Sequence, residues 1–332
     1  MHSQRRILLQ RLQGVLGLFV ILLLAIVLSP QNSSGSRIFL EIGNLTDILR
    51  QVSEIGVIAL GMTLVILTGG IDLSVGSTLA LSTSVVAILL TRWAPPAAPE
   101  LHIWLAVGGA LVVSAIVGAM NGFVIANLRI QPFIVTLASM IGVRGLARRL
   151  TDNTNIDMGF GSDVSSRFAM AASGKALVVG LFGLLVVVFS AILARTVFGR
   201  RVKAIGDNER AALYAGLPIR RTKIYVYTLC GLLSGAAGIL HAAQNHQGNP
   251  NAGVSYELDA IAAVVIGGTS LSGGKGSISG TLIGTLITGI LTNMLRLNNV
   301  DSNTEMMLKA VIILAAVWLQ QVRVGSFQSR KA

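Results

Sequence analysis

The chain has 332 residues, of which 53% are hydrophobic and only 12% charged, with a mean hydropathy of +0.73. A soluble domain carries about 25% charged residues, so there is too little polar surface here to cover a water-soluble globule, and lipid is the implied solvent. The formal charge of +12 does not point to nucleic acid, because the basic residues cluster in loops between apolar runs, as the positive-inside rule produces.

In chain order, the run LGLFVILLLAIVLS follows Arg5, Arg6 and Arg11. With no clear small-residue cleavage site after it, this run reads as an uncleaved first helix rather than a signal peptide. Further apolar runs fall at 53–70, 73–91, 102–128, 131–149, 176–195, 223–241, 257–270, 277–294 and 306–321. Judged against the roughly 20 residues that a spanning helix needs, the expected fold is an all-α polytopic membrane protein. It has about ten transmembrane helices, some of them broken or re-entrant.

Ten crossings put both termini on one side of the membrane. The cytoplasm is that side, since it then collects Arg129, Lys275, Arg323, Arg330 and Lys331 with the basic loop after Arg195. The expected organisation is a cytoplasmic tail at 1–11, a membrane domain at 12–321 with a cytoplasmic loop at 196–222, and a second tail at 322–332. Arg144, Arg148 and Arg149 fall near the outer end of the fifth run, against the rule, and are read as an outer docking surface. Gly118 with Gly122, Gly231 with Gly235, and Gly276, Gly280 and Gly284 recur at four-residue spacing, which lets helix backbones approach closely.

Between IGVIALGMTLVI and TLALSTSVVAILL stands LTGGIDLSVGS, carrying Gly69, Gly70, Asp72, Ser74 and Gly76. A carboxylate at membrane depth is costly and faces a cavity or bundle interior; flanking glycines unwind a helix as in discontinuous transporter helices. The competing reading makes Asp72 a cap at a turn near the cytoplasmic face. Spacing alone leaves both open. No other intramembrane carboxylate is read from the sequence, and Glu257 and Asp259 are read as capping residues at an outer helix start.

Tests for chemistry fail. GGTSLSGGKGS (267–277) is not a P-loop, because Thr269 stands where the first glycine belongs and Gly276 where Ser or Thr belongs. It reads as a glycine-rich turn that is tolerated only when buried in protein or lining a cavity. His2, His102, His241 and His246 have no metal spacing, and Cys230 lies inside an apolar run as a packing residue. No catalytic, cofactor-binding or metal-binding residues are expected. By contrast, NERAALYAG in the basic loop can form a short helix with Asn208 as N-cap and Glu209 in its first turn, stopped by Gly216 and Pro218. A capped helix between two spans suits a lever for a soluble cytoplasmic partner.

GMTLVILTGGIDLSVGS (61–77), GRRVKAIGDNERAALYAG (199–216) and YELDAIAAVVIGGTSLSGGKGSISGTLIG (256–284) together resemble the permease subunits of ribose-type bacterial ABC importers. The likeness covers about residues 40–320, in a superfamily shared with branched-chain amino-acid permeases. It implies an inner-membrane subunit working beside a second permease copy or paralogue, a cytoplasmic ABC ATPase and a periplasmic sugar-binding protein. By resemblance, Gly206, Asn208, Glu209, Ala211, Ala212 and Gly216 dock the ATPase. Gly69, Gly70, Asp72, Ser74 and Gly76 form the broken helix, and Gly267, Gly268, Gly273, Gly274 and Gly276 the second glycine block. It also implies an inverted repeat of the second to fifth and seventh to tenth helices, which is not visible in the residues. The loop at 151–175 is individual and suits discrimination of a binding protein.

Candidate path-lining residues, from their place in or beside apolar helices, are Ser74, Thr78, Asn121, Asn127 and Gln131. The expected function is passage of a monosaccharide, a ribose-like pentose or a hexose, driven by a partner's ATP hydrolysis. The alternatives are a branched-chain amino-acid permease and a proton-coupled sugar transporter using Asp72.

Overall fold

The structure, a computed structural model, describes residues 2–93, 99–301, 303–312 and 314. It is built of helices: α1 (His2–Val27), α2 (Ile42–Leu67), α3 (Val75–Arg92), α4 (Pro99–Leu128), α5 (Pro132–Leu150), α6 (Val164–Ala172), α7 (Lys175–Arg195), α8 (Val197–Asp207), α9 (Glu209–Tyr214), α10 (Ile219–Asn245), α11 (Tyr256–Ile266) and α12 (Ile278–Leu297). A further stretch over 303–312 is helical. Among the described residues, six helices are long and apolar enough to cross a membrane: α2, α3, α4, α7, α10 and α12. α5 carries Arg144, Arg148 and Arg149, and α11, with 11 residues, spans only about 16 Å at 1.5 Å per residue. Most of the expected tenth run, and the tail at 322–332, lie outside the described residues.

α2 is the central rod. Every residue from Gly56 to Leu67 is buried, because α7, α10, α11 and α12 all pack on it. α10 runs antiparallel to it, with Cys230 against Gly61 and His241 against Glu54. The outer ring differs: α4 and α7 show Val112, Ile116, Met120, Leu184 and Val187 on exposed faces, an arrangement fit for lipid.

The paired glycines read from the sequence meet each other. A Cβ at Gly118 would collide with the Tyr227 carbonyl, and one at Gly231 with the Ser114 carbonyl, so α4 and α10 touch backbone to backbone. Gly280 and Gly284 do the same for α12 against Gly267 and Ala263 of α11. In lipid, where helices gain nothing by hiding apolar surface from water, such close packing supplies the attraction.

Two breaks interrupt this bundle from opposite ends. After Leu67 the chain turns at Gly69, whose φ of +77° needs glycine. It climbs back so that Asp72 lies beside Cys230, level with Gly61, about 9 Å above the end of α2. α3 therefore starts inside the bundle. At the other end, α10 stops at Asn245, and residues 247–253 run down α3. Gly248 packs on Ala87, Asn249 exchanges hydrogen bonds with Thr83 (2.9 and 3.2 Å), and Gly253 packs on Gly76. That descent covers about 16 Å along α3. α2–break–α3 and α10–break–α11 thus have the same plan in opposite directions.

Outside the bundle, β1 (Ile156–Asp157) pairs antiparallel with β2 (Gln247–Gly248), which ties the loop at 151–175 to the start of the second break. Arg144 donates to the carbonyls of Pro250 and Ala252, and Arg148 donates to Asn251 Oδ1 at 2.9 Å. Two of the three arginines read as an outer docking surface, Arg144 and Arg148, fasten the 247–253 segment.

Replacing Gly231 by leucine should push α10 off α4 and cost roughly 1–3 kcal/mol, as overpacking does. Gly183 of α7 has open space around it, so Gly183→Leu is the matched control. Thermal melting in detergent should show a lower midpoint for Gly231→Leu and an unchanged one for Gly183→Leu.

Candidate functional site

The residues singled out by the sequence fall into two groups in space. The first is the core of the α2–α3 break. Asp72, 1% exposed, accepts from the Ser74 backbone N–H at 2.9 Å and from Ser74 Oγ at 2.6 Å. The Cys230 thiol lies beside the same carboxylate. Asn121 of α4 donates to Ser74 Oγ at 2.9 Å, and Thr136 of α5 donates to the Ile71 carbonyl at 3.2 Å. Ser74 is the N-cap of α3 but its side chain makes no capping bond. The Asp72 carboxylate, and not the Ser74 hydroxyl, therefore accepts the backbone N–H at the turn into α3. Tyr227 Oη is buried beside Gly70 without a hydrogen-bond partner among the described residues.

The second group is a junction of three segments far apart in sequence. Gly274 N–H donates to the Leu67 carbonyl at 3.0 Å. A Cβ at Gly206 would collide with that carbonyl, and one at Gly273 would lie 3.0 Å from both Gly206 Cα and Gly69 N. Gly273 and Gly274 have φ of +85° and +73°, as this turn requires. The end of α2, the end of α8 and the turn at 268–276 are thereby stacked backbone on backbone. No side chain intervenes between the three segments.

α9 projects from this junction. Asn208 Oδ1 accepts from Ala211 N at 2.9 Å as the expected N-cap, and Gly216 (φ +73°) ends the helix. Glu209 forms an ion pair with Lys223 at 2.8 Å. Ala212 is buried, whereas Leu213 and Tyr214 are exposed, the latter by 89%. These two large exposed side chains were missed in the sequence, where small residues and charge drew attention; an apolar pair next to Gly216 was the available signal.

Other expected residues are dispersed. Gly76 packs on Gly253, Gly267 on Gly280 and Gly276 on Thr269, while Gly268 (φ +87°) stands in open space. Asn127 donates to Phe123 of its own helix at 3.0 Å, Gln131 is exposed at the start of α5, and Thr78 is 1% exposed. The absence of other intramembrane carboxylates is corrected: Glu54 lies within α2, buried, with His241 Nδ1 at 2.7 Å from its Oε1. It was overlooked because it stands one residue inside its apolar run. Asp259 lies in the first turn of α11, as read from the sequence, and also pairs with Lys309 at 3.2 Å.

With this geometry in hand, comparison with known proteins gives a consistent result. Residues 44–317 match the family described as branched-chain amino acid transport system / permease component. The ribose import permease protein RbsC of Bacillus subtilis is 44% identical over 319 residues, 94% of this chain and 93% of that one. The Escherichia coli K12 ribose import permease protein RbsC is 42% identical over 309 residues, 92% of each chain. The L-arabinose ABC transporter permease protein AraH of Azospirillum brasilense is 36% identical over 318 residues, 93% of this chain and 87% of that one. No solved structure matches the chain.

Asp72 offers a clean separation of charge from hydrogen bonding. Asp72→Asn keeps Oδ1 as an acceptor for Ser74 and should retain most of the stability. Asp72→Ala leaves buried donors unpaired, at roughly 1–3 kcal/mol. Thermal melts of the purified protein should rank wild type and Asn close together, with Ala several degrees below.

Proposed function

The chain belongs to the branched-chain amino acid transport system permease family, and on that premise we propose that it is the membrane-spanning subunit of an ABC importer for a monosaccharide. The substrate class follows from the relatives, which are named for ribose and arabinose; none of those three is named for an amino acid. In this reading the subunit sits in the bacterial inner membrane with about ten crossings and cytoplasmic termini. It pairs with a second permease subunit, receives sugar from a periplasmic binding protein, and is driven by a separate cytoplasmic ATPase.

The observation that carries the reading is the stacked junction of Leu67, Gly206 and Gly274. α9 exposes Leu213 and Tyr214 as an apolar knob that fits a groove on the ATPase. A push on α9 travels through α8 to the end of α2 and to the turn leading into α12. The first helix break is attached directly to those elements, so docking and path opening share one linkage there.

A sugar loses water from many hydroxyls on entering the membrane plane, at about 1–3 kcal/mol for each left unpaired. A subunit that bound sugar tightly would remove that cost and also trap its cargo. Leaving affinity to the binding protein allows the permease a weakly polar path. Ser74, Thr78 and Asn121 are buried and bonded into the break or packed beside it, and serve this path by shaping it.

Proteoliposomes containing only this chain should show no concentrative ribose uptake; robust uptake by the lone chain would sink the reading. In membranes from cells with the full transporter, Tyr214→Asp should reduce co-purification of the ATPase by about tenfold or more, since buried interface aromatics are worth 2 kcal/mol or above. The level of the permease itself should not change. Undiminished co-purification would remove α9 from the interface.

A further inference from the structure

Two polar pairs, one buried and one partly buried, converge on one turn of one short helix. Glu54 of α2 meets His241 of α10 at 2.7 Å, and Tyr256 of α11 faces the same carboxylate. The phenol and imidazole rings stand edge to face with centroids 6.3 Å apart. Asp259 of α11 meets Lys309 at 3.2 Å, and Lys309 lies 2.9 Å from Glu305, which Arg296 holds at 3.3 Å. Tyr256 and Asp259 are three residues apart and so share a face of α11. Beside that face lies a pocket of about 10 Å³, lined by Gln51, Asp259, Thr285, Thr288, Thr292 and Lys309, with room for about one water molecule.

This turn lies far from the docking junction. Glu54 precedes Leu67 by 13 residues of α2, about 20 Å along its axis. The turn is also the first ordered helix after the re-entrant segment, so α11 is tied to the bundle at its start by these contacts. Packing alone does not require charges here, since apolar side chains of similar volume hold helices as well as a buried ion pair does. Ionisable side chains in membrane segments mark paths and gates. What ion pairs add is exchangeable partners: a carboxylate or ammonium released by one group can be taken up by a hydroxyl.

We propose that the first turn of α11 is the gate of the path on the membrane face opposite α9, held shut by Glu54 and Lys309 as positioning residues. The inference rests on the transport reading above. Its ligand is a neutral polyhydroxylated molecule, whose hydroxyls take over the hydrogen bonds of Glu54, Asp259 and Lys309 as α11 swings from α2 and α10. The pocket is the closed remnant of that passage.

The test uses Thr288→Cys as a reporter on the pocket wall, with the unsubstituted chain as blank, since Cys230 is buried. In right-side-out vesicles, a membrane-impermeant methanethiosulfonate reagent should label the reporter slowly. Adding Lys309→Met or Glu54→Gln should speed labelling about tenfold, because loss of one buried partner costs well over 1.4 kcal/mol. Lys309→Arg should label like the parent. Equal rates in all variants would overturn the gate, as would an equal increase with Gly231→Leu, which loosens the bundle elsewhere.

Uptake of radiolabelled ribose by cells gives the second readout. Lys309→Met should lower it about tenfold at unchanged permease level and unchanged ATPase co-purification, and Lys309→Arg should restore it. Wild-type uptake in Lys309→Met would overturn the proposal. Failure of the unaltered chain to bind an ATPase would count against the transport reading instead.

Discussion

No water reaches the hydrocarbon core of a bilayer, so a helix that breaks there must find partners for its freed backbone groups within the protein. The whole molecule is arranged around two such breaks. At the first, Asp72 takes the Ser74 N–H, Thr136 takes the Ile71 carbonyl, and Gly274 takes the Leu67 carbonyl. At the second, Thr83 serves both the N–H and the carbonyl of Asn249, and Arg144 serves two carbonyls. Apart from the local Asp72–Ser74 bond, each repair reaches across to a distant segment: α3, α5 or the turn before α12. The repairs therefore tie these segments to the two breaks.

These ties make the breaks mechanical elements. A break repaired by its own neighbours could flex alone, whereas one repaired by a distant segment moves only with that segment. The Leu67 carbonyl illustrates this: its hydrogen bond comes from a turn more than two hundred residues later in the chain. The α8 end presses on the same atom. The two breaks face in opposite directions, with the buried rod α2 between them.

Much of this was legible in the sequence, and the reasons are local. Helices α2, α3, α4, α7, α10 and α12 follow long apolar runs, and the cap at Asn208 and stop at Gly216 follow from residue chemistry within a few positions. The glycine pairs announced close packing but not their partners, because four-residue spacing says nothing about which helix lies opposite. The junction of Gly69, Gly206 and Gly274 was hidden for the same reason: its three parts are single glycines whose meaning lies in their shared contact. Glu54 was hidden by its neighbours, since one carboxylate hardly alters the hydropathy of a run. The small helix α6 and the pairing of β1 with β2 lie in loops with no periodic signal. The inverted relation of the two breaks has no sequence signature at all here, because it resides in chain direction and not in residue identity.

The pairing of Glu54 with His241 also has a consequence for biosynthesis. The two residues are 187 positions apart. At about 5–20 residues per second, α2 must wait in the membrane for roughly ten to forty seconds before α10 exists. During that interval the carboxylate has no imidazole, Gly61 has no Cys230 to pack on, and the first break lacks the turn that closes it. The nascent amino-terminal half is thus a chain with an unpaired acid and an unrepaired backbone in an oily environment.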